Sequence, residues 1–168
     1  MSNTTRPSRR RWLLSALATG LTLPGALRAQ GPTILVEVWK SPTCGCCKDW
    51  IRHIEQHGFR AKVHDVGNTA ARARLSVPAR LGSCHTAWVG GYAIEGHVPA
   101  ADIQRLLRER PDAIGLAVPG MPVGSPGMDG PEYGTRRDPY DVLLVARDGS
   151  TRVFSSHFKP GSAAPARS

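Results

Sequence analysis

Residues 34–50 read Ile34-Leu35-Val36-Glu37-Val38-Trp39-Lys40-Ser41-Pro42-Thr43-Cys44-Gly45-Cys46-Cys47-Lys48-Asp49-Trp50, a strand-like run ending in a turn that holds three of the chain's four cysteines. The alternation and β-branched content up to Lys40 predict a strand. From about Cys46 to His57 the spacing is helical, with Trp50, Ile51 and Ile54 on one stripe. A helix N-terminus carries partial positive charge and unsatisfied N–H groups, so thiols placed there ionise easily. Thiolate is the nucleophile of disulfide exchange and also the soft ligand that selects Cu(I) or zinc. Reactive sulfur or bound metal is therefore the chemistry this turn announces.

Working outward, Gly58 stands where a helix C-terminal glycine belongs. Phe59 to Val66 alternates as a strand does. Asn68 is placed to cap a short helix from Thr69 to about Leu75, stopped by Val77-Pro78. The loop through Gly82-Ser83 leads to a strand over Cys84–Val89, a Gly90-Gly91 turn and a return strand over Tyr92–His97. Pro99 opens a last helix, with Ile103, Leu106 and Leu107 on one face, ending before Pro111. The order β-α-β-α-β-β-α is that of an α/β, thioredoxin-like fold, with the cysteines at the end of the first strand. Residues 30–159 are expected to form this domain.

Residues 111–139 break the pattern. Eight of the thirteen residues from Pro119 to Pro131 are Pro or Gly, and Met121 and Met128 are the only methionines besides the initiator. Such a segment reads as a long functional loop. A C-terminal hairpin over 140–154 turns at Asp148-Gly149 and is expected to extend the sheet edge or lie against the domain. Residues 160–168 are expected to be disordered.

Residues 1–29 read as an export signal: Arg9-Arg10-Arg11-Trp12-Leu13-Leu14, an apolar run, and a plausible cleavage site at Leu27-Arg28-Ala29. The paired arginines resemble a twin-arginine signal, an ordinary secretory signal being the alternative. Thr19, Gly20, Thr22, Pro24 and Gly25 interrupt the apolar run too often for a spanning helix. Five of the 22 basic residues and no acidic one fall here, leaving 17 basic against 13 acidic residues, a net charge of +4 instead of +9. That balance is no nucleic-acid footprint. Arginine groups such as Arg72/Arg74/Arg80 read as solvated helix faces.

Cys44 and Cys47 form a C-x-x-C pair able to make a disulfide or share a metal. Cys46 points about 100° from Cys47 on a helix. The two therefore suit one tetrahedral ion poorly, and a polynuclear Cu(I)-thiolate site, or a disulfide with a third thiol beside it, better. The thioredoxin geometry brings Cys84 beside them, though Gly82-Ser83-Cys84-His85-Thr86 lacks the proline that usually faces the dithiol. His85 is predicted to point to the opposite strand face from Cys84. It and His97 are weaker ligand candidates, as are the thioethers of Met121 and Met128. His53 and His57, with Asp49, read as a solvated helix face; His64 and His157 have no evident partner.

Pro42-Thr43-Cys44-Gly45-Cys46-Cys47-Lys48-Asp49-Trp50, Ser83-Cys84-His85-Thr86-Ala87, the run Gly90–Ala100 and the run Gly115–Met128 together resemble the CopG-like copper-resistance proteins. The resemblance spans about Ile34 to Phe154. It implies a periplasmic thioredoxin-like protein that binds copper through Cys44, Cys46, Cys47 and Cys84, with Met121 and Met128 in a Met loop, and that interconverts Cu(I) and Cu(II). A periplasmic copper chaperone or reductant is the partner class this implies. The competing readings are a thiol–disulfide oxidoreductase using Cys44 and Cys47, and a domain with two structural disulfides.

Overall fold

Alternation along β1 (Ile34–Lys40) buries Val36, Val38 and Lys40 on one face. Beneath them runs α1 (Gly45–Gln56), whose buried Cys47, Trp50 and Ile54 follow helical spacing. In this computed structural model Met1 and residues 33–159 are described. The expected leader over 1–29, Met1 aside, and the expected tail over 160–168 lie outside the described residues.

The remaining elements are β2 (Phe59–His64), α2 (Thr69–Arg74), β3 (His85–Val89), β4 (Tyr92–Glu95), α3 (Ala100–Glu109), β5 (Gly115–Ala117), β6 (Tyr140–Val145) and β7 (Thr151–His157). The strands form one seven-stranded mixed sheet in the order β2-β1-β3-β4-β5-β6-β7. β1 runs parallel to β2, and β4 parallel to β5; the other neighbours are antiparallel. Up to α3, the order β-α-β-α-β-β-α is the one expected from sequence.

β5 is the element sequence reading missed. It lies inside the stretch expected to be irregular, and it carries the C-terminal hairpin into the sheet: Ala117 pairs with Glu95 on one side and Leu143 on the other. The hairpin thus extends the sheet edge. It is also fastened to α3, where Arg105 donates to the Phe154 carbonyl at 3.0 Å and lies over its ring. The His157 Nε2 sits 3.0 Å from the buried Asp102 carboxylate, a partner the sequence did not suggest.

The register divides the side chains between two faces. Lys40↔His85, Val38↔Ala87, Ala87↔Ile94 and Ile94↔Leu116 share the face covered by α1 and α3. Thr86↔Glu95 face the other way, towards α2. Val36, Trp50, Ile54, Ile94, Ile103 and Leu106 belong to the larger core, and a smaller cluster containing Val77, Leu81 and Ala93 lies on the α2 side.

Two caps differ from expectation. Asn68 makes no cap bond to α2; its amide donates instead to the Ser83 carbonyl at 3.1 Å and to Thr86 Oγ1 at 3.3 Å. His53 is not on a solvated face: it is half-buried, and its Nε2 accepts the first amide of α3, Ala100 N–H, at 3.1 Å. Pro99 precedes that helix without a side-chain cap, so an imidazole from α1 satisfies one of its free N–H groups. Among the described residues no helix is long and apolar enough to cross a membrane.

Candidate metal centre

β1 delivers the chain to a tight turn, closed by Cys44 N–H on the Ser41 carbonyl at 3.1 Å, and Cys44 becomes the N-cap of α1. The first helical turn then presents Cys46 and Cys47 in different directions. Cys47 is fully buried and disulfide-bonded to Cys44, while Cys46 and Cys84 are free and half-buried. Cys46 Sγ lies 3.5 Å from Cys44 Sγ and 3.8 Å from Cys84 Sγ. All four sulfurs fall within 4.8 Å of one another. Residues 44–47 and Cys84, 37 positions apart where Cys47 Sγ meets the Cys84 carbonyl at 3.6 Å, thus converge on one spot.

Nitrogen and thioether donors close around this sulfur. His97 Nε2 is 2.9 Å from Cys84 Sγ, and its Nδ1 donates to the Pro126 carbonyl at 2.7 Å, which leaves the Nε2 lone pair turned to the thiol. His85 is fully buried beside Trp50, with Nδ1 3.5 Å from Cys84 Sγ and Nε2 without a hydrogen-bond partner among the described residues. It therefore comes within reach of the cysteine from which strand alternation was expected to separate it, because Cys84 lies just before the regular strand begins. Met121 Sδ is 4.0 Å from Cys46 Sγ, on the exposed rim. Met128 is buried in the same loop and receives the Tyr133 hydroxyl at 3.6 Å.

The Pro/Gly loop is pressed onto the start of α1. Gly127 has φ +84°, and a Cβ there would stand 2.5 Å from the Cys46 carbonyl oxygen and 2.8 Å from Trp50 N. Only glycine satisfies both the angle and the approach.

Electrostatically the pocket favours neutral groups. Burial, reinforced by the adjacent Cys46, pushes the Cys84 thiol up to about 12. Burial holds His97 below the usual imidazole range and His85 well below it. Neutral imidazole is the metal-binding form, and a soft cation would supply the charge that thiolates here otherwise lack. Thiol, thioether and uncharged imidazole together form a donor set suited to a soft metal.

Sequence reading missed Arg72 and Glu95. Arg72 was grouped with solvated arginines, yet its side chain is only 17% exposed and pairs with Glu95, which is 0% exposed. An acid inside the otherwise apolar strand Tyr92–Glu95 was the available signal.

Comparison with known proteins agrees with this picture. A family model described as "Protein of unknown function, DUF411" matches residues 81–128. Two solved structures named copper resistance protein CopG, Form 2 and Form 1, are 46% and 47% identical to this chain, each with a TM-score of 0.69. They cover 75% of this chain, and 99% and 98% of their own. The chain belongs to the CopG copper-resistance family. No curated protein matches it. Within the CopG frame, the described cysteine cluster lies partly inside the DUF411 match, through Cys84, and partly before it, through residues 44–47.

Proposed function

We propose that this chain holds Cu(I) in a cysteine-thiolate cluster and exchanges electrons with copper through Cys44 and Cys47. The observation that carries the reading is the convergence of four cysteine sulfurs within 4.8 Å. Thiolate and thioether donors select Cu(I) over hard cations. With the Cys44–Cys47 disulfide reduced, Cys44, Cys46, Cys47 and Cys84 are the ligands in this reading; with it formed, Cys46 and Cys84 remain. His85 and His97 flank Cys84, and Met121 closes the rim from the Met loop, which also carries the buried Met128. The β-α-β-α-β-β-α frame is thioredoxin-like, and residues 1–29 export the protein to the periplasm by a twin-arginine-like route. There a copper chaperone or a reductant supplies metal or electrons.

The redox step balances without another reactant. Two Cu(II) ions each take one electron from the Cys44 and Cys47 thiols; the disulfide forms and two protons leave. Two Cu(I) ions remain beside Cys46, Cys84 and Met121. The reverse step reopens the disulfide and yields Cu(II).

A second reading, thiol–disulfide exchange with Cys44 attacking and Cys47 resolving, is favoured by the Cys44–Cys47 disulfide itself. It calls for activity without metal. The crowding of Cys46 and Cys84 against the same disulfide, with Met121 beside Cys46, favours copper.

The test is to reduce the full chain anaerobically, load it with Cu(I), remove loosely held metal, and count copper and free thiols in wild type and Cys84→Ala. More than one copper per chain, protecting the thiols and diminished by the substitution, supports the reading. No retained copper, with Cys44 and Cys47 cycling as a dithiol, replaces it with the second.

A further inference from the structure

Ser83 precedes Cys84, and every polar group it has is engaged. Its N–H donates to Glu95 Oε1 at 2.7 Å. Its carbonyl accepts from Arg72 Nη2 at 2.7 Å and from Asn68 Nδ2 at 3.1 Å. Its hydroxyl donates to the carbonyl of Gly120, the residue before Met121, at 2.5 Å. One serine therefore ties the segment carrying Cys84 to the loop carrying Met121.

The groups holding Ser83 form a closed network. Glu95 Oε1 also accepts from Arg72 Nε at 2.9 Å, and Oε2 accepts from Thr86 Oγ1 at 2.6 Å. Asn68 donates to that same threonine oxygen. Gly96 makes room for the link: its φ is +71°, and a Cβ there would meet Ser83 Oγ at 2.5 Å and the Val118 carbonyl at 2.6 Å. A cleft of about 500 Å³ opens beside the network, lined by Arg72, Gly82, Ser83, Cys84, Gly120 and Met121.

A buried ion pair is a weak source of stability, since desolvation cancels much of its attraction, but its hydrogen-bond geometry is demanding. Here that geometry falls on the main chain adjoining a sulfur of the metal centre. We propose that Arg72 and Glu95 are positioning residues for copper: they clamp Ser83 so that Cys84 faces Cys46, and the Ser83 hydroxyl sets Met121 in register with it. The proposal rests on the copper reading above.

The test uses the full chain, with three variants and two readouts that fold stability alone would not move. The first readout is the rate of iodoacetamide alkylation at Cys84 relative to Cys46 in reduced, metal-free protein. The second is Cu(I) affinity against a chromophoric chelator; circular dichroism confirms folding. Arg72→Lys keeps the charge but loses the planar fork, and should raise the alkylation ratio and lower Cu(I) affinity, each by about tenfold. Glu95→Gln keeps an acceptor for Ser83 N–H but deprives Arg72 of its carboxylate, and should shift both readouts in the same direction as Arg72→Lys. Ser83→Ala should leave the alkylation ratio unchanged and lower Cu(I) affinity, because only the link to Gly120 is cut.

A folded Arg72→Lys with wild-type ratio and affinity overturns the proposal, whatever its melting temperature. Should Arg72→Lys fail to fold, Glu95→Gln decides: a folded Glu95→Gln with wild-type ratio and affinity contradicts the clamp, and wild-type Cu(I) affinity in Ser83→Ala contradicts the link to Met121. A wild-type chain that retains no Cu(I) overturns the copper reading instead, and the alkylation ratio still judges whether Arg72 and Glu95 place Cys84.

Discussion

His97 turns its Nε2 to the sulfur of Cys84 at 2.9 Å, and the Pro126 carbonyl fixes the ring by holding Nδ1. The contact joins the end of the β3–β4 hairpin, the entry to β3 and the Pro/Gly loop at one sulfur. It also places a nitrogen donor beside one of the two free thiols of the proposed metal centre.

Replacing that ring should be felt by copper more than by the fold. His97→Gln is expected to lower Cu(I) affinity by about 10- to 100-fold, the range seen when a residue orienting or completing a metal site is lost. Competition with a chromophoric chelator measures it. Unchanged affinity would remove His97 from the centre.

Met121 and Met128 should separate. Met121 is 51% exposed and lies beside Cys46, whereas Met128 is 8% exposed and faces Tyr133. Met121→Leu is expected to weaken Cu(I) binding several-fold with no change in melting temperature. Met128→Leu conserves buried volume and should cost less than about 1.5 kcal/mol of stability, with Cu(I) affinity little altered. The reverse pattern in titration and thermal melts would assign the thioether ligand to Met128.

Gly127 should tolerate no side chain. Gly127→Ala forces a Cβ between the Cys46 carbonyl and Trp50 N at a positive φ. The expected cost is about 2–3 kcal/mol, read as a lower urea midpoint, with faster alkylation of Cys46 as the loop lifts. A wild-type midpoint would mean that the loop does not seat on α1 in solution.

The acid side of the stability profile should bear the mark of His53. Burial, with the neighbouring His57 adding and Asp129 opposing, holds His53 down to about 4, against 6.5 in the unfolded chain. The unfolded chain therefore binds the proton first as pH falls. The His53 contribution is complete above about pH 6.5 and is lost progressively down to about pH 4. After allowance for partial exposure, the loss is on the order of 1–2 kcal/mol. His53→Gln should flatten urea midpoints between pH 7 and pH 4.5 by that amount. His85 and His97, lowered in the same direction, account for slope that remains. An unaltered slope would show that His53 does not cap α3.

Much of this arrangement was legible in the sequence because it is written in local periodicity. The alternation of Ile34–Lys40, the Trp50/Ile54 stripe and the Gly90-Gly91 turn each specify an element on their own. They also bring Cys84 to the Cys44–Cys47 turn. β5 was not legible: three residues, Gly115–Ala117, are too few to show a period, and only pairing with β4 and β6 makes them a strand. The Arg72–Glu95 pair was hidden for another reason. A helix arginine looks the same in sequence whether it meets water or a buried carboxylate 23 residues away. His53 misled similarly, since its partner is a backbone amide on α3.

X-ray absorption at the copper edge of the anaerobically Cu(I)-loaded full chain tests the central claim most directly. The account predicts a coordination shell dominated by sulfur, with copper–copper scattering, and a loss of sulfur neighbours in Cys84→Ala. A shell of nitrogen and oxygen only, unchanged by that substitution, would contradict it.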